Sequence, residues 1–70
     1  MITLQELAEK YNMLGYYIDR VEREAGSREV GKFVWAAEGF LDGLEAAGAI
    51  KSYELGPLIR EVRKQGGVQA

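Results

Sequence analysis

The stretch TLQELAEKYNMLGYYIDRVEREAG, residues 3–26, decides the fold. Thr3 and Glu6 have the spacing of a capping box, in which the threonine oxygen accepts from the backbone N–H of residue 6 and the glutamate reaches back to that of residue 3. From there Leu4, Leu7, Tyr11, Leu14, Ile18, Val21 and Ala25 recur at intervals of three and four, with Ala8 and Gly15 beside them. That is the period of one apolar helical stripe. Glu6 with Lys10 and Asp19 with Arg23 stand acid before base at i, i+4, each pair worth about 0.2–0.5 kcal/mol. The reading predicts one long helix over residues 3–25, closed at Gly26.

Gly26 followed by Ser27 reads as a C-terminal glycine and then an N-cap, so the chain should reverse there. Val30, Val34, Ala37, Leu41 and Leu44 continue the same period to Gly48, predicting a second helix over residues 27–47 and a helical hairpin. Phe33, Ala36, Phe40 and Ala47 widen this second stripe to roughly half the circumference at ~100° per residue. One partner helix covers less than that, so the second helix should lie between two neighbours.

Ser52, Leu55, Leu58, Ile59 and Val62 supply the second neighbour, a shorter helix over about 52–65 with Ser52 as N-cap. Pro57 lacks a backbone N–H, which argues for a kink there or a start at the proline. The alternative is two strands, residues 50–55 and 58–63, turning at Gly56-Pro57. The expected fold class is all-α, a hairpin plus a third helix in one domain over residues 1–65, with 66–70 as a flexible tail.

Composition narrows the chemistry. Among 70 residues there is no cysteine and no histidine, which removes disulfides, thiolate zinc sites, thiol nucleophiles and the usual general base together. The expectation is a non-enzyme with no cofactor and no metal. A formal net charge of -2 argues against a general attraction to phosphate backbones, so nucleic acid is not the expected partner. No charged segment leading into an apolar stretch opens the sequence, and no apolar run approaches the ~20 residues that span a bilayer. A cytoplasmic protein without a membrane partner is expected. The large core formers are few for a chain that must fold alone, which raises the expectation of a homodimer.

Two groups of side chains stand out as candidate partner-binding residues. Glu38, Asp42 and Glu45 form an acidic stripe at i, i+4 and i+7 with no base inside it. Cross-pairing with Arg60, Arg63 or Lys64 of an antiparallel third helix is the structural account; a surface for a basic partner is the functional one. On the wheel Trp35 points almost directly away from the apolar stripe of the second helix, between Gly31 and Gly39, while Tyr16 and Met13 lie off the stripe of the first. The hairpin sets Tyr16 near the level of residue 36. Trp, Tyr and Met are enriched where interfaces form. The interior glycines Gly31, Gly39 and Gly43 each cost about 0.8–1 kcal/mol relative to alanine; close helix packing is the expected compensation, and a groove where a partner lies against bare backbone is the functional alternative.

Residues 44–50, LEAAGAI, are similar to the end of a recognition helix entering the wing of winged-helix DNA-binding domains. That resemblance implies a small DNA-binding regulator, with residues 50–63 as the wing and Arg60, Arg63 and Lys64 toward phosphate. In size, composition and lack of catalytic groups the chain resembles the compact helical proteins of phages and mobile elements, some of which inhibit a host complex by occupying a surface. This second resemblance implies a protein–protein interaction module whose partner is a larger protein.

Overall fold

The computed structural model describes residues 1–68 as four helices and, among those residues, no strand: α1 (Leu4–Lys10), α2 (Asn12–Arg23), α3 (Val30–Ala46) and α4 (Ser52–Gly66). The all-α class and the position of α3 between α2 and α4 are as the sequence predicts. The third helix is continuous from Ser52 through Pro57, so the strand pair over 50–63 is not formed.

The first helix departs from the reading. It is two helices, because Tyr11 adopts an extended conformation (φ -116, ψ 106) and serves as the end of α1 and the start of α2. The capping box at Thr3 is present in full, with Thr3 N–H donating to Glu6 Oε1 (2.9 Å) and Glu6 N–H to Thr3 Oγ1 (3.0 Å). Glu6 is thereby committed to the cap. At the bend α1 doubles back on α2, and the carbonyl oxygen of Ala8 lies 2.7 Å from where a Cβ on Gly15 would stand. In a straight helix Ala8 and Gly15 would share a face about 10 Å apart; here one seats the other. The bend lets Leu4 and Leu7 reach the common core with Leu14, Val21, Leu41 and Val62, all but excluded from solvent.

A buried carboxylate ties down the returning segment. Glu54, 7% exposed, accepts from Ile2 N–H through Oε2 (3.2 Å) and from Lys51 N–H through Oε1 (2.8 Å), joining the start of the chain to the start of α4. Those two backbone donors, Lys51 first and then Ile2, hold its carboxyl below the usual carboxylate range; the positive N-terminus and the Lys51 charge act in the same direction, against desolvation.

The later boundaries also shift. α3 begins at Val30, not at residue 27: Ser27 makes an N-cap bond, its hydroxyl accepting from Glu29 N–H (3.1 Å) and donating to Glu24 Oε1 (3.0 Å), but residues 27–29 form a turn closed by Val30 N–H to Ser27 O (3.4 Å) ahead of the helix. Lys51, not Ser52, is the residue preceding α4. Gly48 (φ 79) ends α3 with Ala49 N–H bonded to Leu44 O (2.8 Å) and Gly48 N–H to Glu45 O (3.0 Å), a left-handed closure that glycine makes at least cost. Gly67 closes α4 in the same way, and Val68 packs against the core. Of the expected tail, Gly66 is helical, and residues 69–70 lie outside the described residues.

The glycine expectation is corrected as well. Side chains at Gly31, Gly39 and Gly43 would meet nothing within 4 Å, so no neighbouring helix packs there. Close approach occurs at Gly15 and at Gly66, where a Cβ would stand 3.0 Å from Val34 Cγ2 and 3.2 Å from Val21 Cγ1.

Gly15→Ala should therefore destabilise the protein by about 1–3 kcal/mol through overpacking against backbone. Gly39→Ala should stabilise it by up to about 1 kcal/mol through helix propensity alone. Urea midpoints at constant slope check both. Glu54 contributes stability that is fully present above the ordinary carboxylate range, about pH 4.3, and is lost as pH falls through its lower folded value. Unfolding midpoints of wild type should fall on acidification through that range, and those of Glu54→Gln should fall less.

Candidate interaction surface

The register of α2 and α3 follows from two contacts. Tyr11 meets Phe40 (ring centroids 5.9 Å apart) and the Arg20 guanidinium lies over the Phe33 ring (4.9 Å). These antiparallel levels place Tyr16 opposite residues near 36, as the hairpin predicts. Tyr16 is 51% exposed and its ring packs edge-on against Tyr17; Met13, 52% exposed, is one turn before it. Neither aromatic contact involves Trp35, which sits on the outer side of α3 and is 78% exposed.

The outer side of α3 is built by what its inner side buries. Val34, Ala37, Leu41 and Leu44 turn inward. At ~100° per residue this leaves Trp35 with Gly31 and Gly39 one turn to either side and Gly43 one turn further. All three glycines are exposed, so the indole stands above bare helix backbone. A helix propensity deficit of about 0.8–1 kcal/mol at each is therefore not offset by packing within the chain.

Trp35 also heads the acidic stripe, with Glu38, Asp42 and Glu45 at i+3, i+7 and i+10. Glu38 is taken up internally: its side chain is 14% exposed and accepts two hydrogen bonds from Arg63 of α4, Nε to Oε2 at 2.7 Å and Nη2 to Oε1 at 3.0 Å. This bidentate pair also holds the Arg63 guanidinium further into its charged form. Asp42 is exposed and Glu45 partly so, and neither has an ion-pair partner among the described residues. Cross-pairing thus accounts for one of the three carboxylates. Lys32, the one base α3 carries, is bound to Glu29 (2.7 Å).

Elsewhere the surface offers less. A groove of about 450 Å³ between α1, α2 and α4 is floored by Ala8 and Gly15 and edged by Asp19, Glu22, Glu61 and Gln65. Asp19 there is paired with Arg23 at 2.9 Å, the i, i+4 pair visible in the sequence. Among the described residues no group of three acidic side chains is placed to hold a metal ion, and no helix is long and apolar enough to cross a membrane. Arg60 and Lys64 lie on the outer face of α4 beside Pro57 and Glu61. The exposed glycines of α3 have a sequence signal, since Gly31, Gly39 and Gly43 share the side opposite the apolar stripe; close packing required them on the other side.

If Glu38 and Arg63 are worth more together than apart, Glu38→Gln and Arg63→Met should each lower the urea midpoint, and the double variant should lose less than the two losses combined. Equilibrium unfolding of the four proteins checks this. No protein-family model, curated protein or solved structure matches the chain, so its function is argued from this surface.

Proposed function

We propose that the protein is a non-enzymatic helical interaction module that lays the outer face of α3 on a larger protein in the cytoplasm. The observation that supports this reading is Trp35, 78% exposed on a helix whose flanking glycines leave the backbone open on either side. A large rigid aromatic over bare backbone is the arrangement that lets a partner close around it, and Trp is the residue most often carrying interface energy. Met13 and Tyr16, exposed on α2 at the level of residue 36, are the next side chains to test for a share in the contact. The resemblance to compact helical proteins of phages and mobile elements gives such binding a purpose, to inhibit a host complex by occupying a surface. A homodimer through the same face is the second occupant to test. The DNA-binding alternative is less well supported, because Arg63 is committed to Glu38 and α4 stands where a wing would be.

Trp35→Ala should weaken partner binding or self-association by roughly thirtyfold or more while leaving the melting curve unchanged, since the indole has few neighbours to lose. Sedimentation over a concentration series, and capture of partners from the source cell with wild type and variant side by side, measure the two cases. A variant that binds and associates normally, or that melts well below wild type, would overturn the proposal.

A further inference from the structure

We infer that the occupant of the α3 face is a positively charged protein segment; the inference rests on the docking role proposed for Trp35. Asp42 lies seven residues beyond Trp35, within about 20° of the same line and about 10 Å along the helix. Glu45 follows on the flank toward α4. The packing itself leaves these carboxylates unanswered. Arg63 stands beside Glu38 and Gly66 against Val34, and the same antiparallel register sets Asp42 and Glu45 opposite residues 56–59, GPLI; the Arg60 guanidinium reaches that level, 3.6 Å from where a Cβ on Gly56 would stand, without forming an ion pair to either carboxylate. No base occurs in the last turn of α3, and the negative end of its dipole adds to the same pole. The face is therefore apolar at Trp35 and negative at Asp42 and Glu45, two to three turns beyond it.

A second copy answers this pattern poorly. A two-fold interface brings the same patch from both sides, and each copy offers Asp42 and Glu45 only one base on α3, Lys32, which would have to leave its exposed pair with Glu29. Two such faces would meet with the same excess of negative charge. The complementary surface carries Lys or Arg about two helical turns from the apolar site that receives the indole, an arrangement an amphipathic basic helix provides.

The single tryptophan reports its own burial. The full chain is titrated with a synthetic amphipathic Leu/Lys helix of about five turns and with its Leu/Glu twin, following Trp35 emission and acrylamide quenching. The Leu/Lys peptide should shift the emission to the blue and protect the indole, and the Leu/Glu peptide should do neither. Asp42→Asn/Glu45→Gln should weaken the Leu/Lys complex about tenfold, as expected for two exposed charge pairs. Glu22→Gln/Glu61→Gln, at the groove between α1, α2 and α4, should leave it unchanged. Equal shifts with both peptides would overturn the inference while sparing the docking role of Trp35. A blue shift on raising the protein concentration alone would overturn it in favour of a second copy. No response to either peptide would count against the docking role as well.

Discussion

The fold depends on one contact between backbone and absent side chain, the carbonyl of Ala8 over Gly15. Because nothing projects from residue 15, α1 can lie back along α2 and deliver Leu4 and Leu7 to the core. A straight helix would have carried both leucines beyond the reach of α4. The Glu54 carboxylate then ties the returning end to the start of α4 by accepting from Ile2 N–H and from Lys51 N–H. With that side closed by α1, and α2 and α4 flanking α3, the outer ridge of α3 is left uncovered. The candidate surface is thus what remains after the core has been satisfied.

Much of this was legible in the residues. The three-and-four spacing placed every helical segment, with α1 and α2 read as one helix, the Thr3–Glu6 box appears as written, and the breadth of the apolar stripe on residues 30–46 required two neighbours. The bend at Tyr11 was not legible, because no proline or glycine marks it; its cause is tertiary, the added burial won by folding back. Periodicity is also nearly blind to such a bend, since both halves keep the same spacing while changing direction. Ser27 caps as expected, but the N–H it accepts from belongs to a turn over residues 27–29 and not to α3, since a side chain that suits an N-cap also suits a local turn. Trp35, exposed as the wheel implied, was the most readable element of the candidate site.

The two classes of glycine separate structure from use. Gly15 and Gly66 lie where another part of the chain takes the place of a side chain, and they answer to the fold. Gly31, Gly39 and Gly43 answer to nothing within it. On the proposed reading, stability and binding pull in opposite directions at these three positions, the pattern found where a surface is kept suboptimal for the sake of what it contacts.

There is a corollary for α3 as a piece of chain. Its exposed glycines leave it with little tendency to be helical by itself, and no side chain caps its start. What keeps residues 30–46 wound is the pressure of α2 on one flank and α4 on the other, with the Glu38–Arg63 pair across the second. Cut free as a peptide it would be largely coil, since helices of this length are marginal in water even with better formers. The proposed recognition surface is therefore not portable. The rest of this small protein serves as the splint that makes a poor helix rigid, and a partner that grips α3 meets a ridge whose ordering entropy was spent when the chain folded.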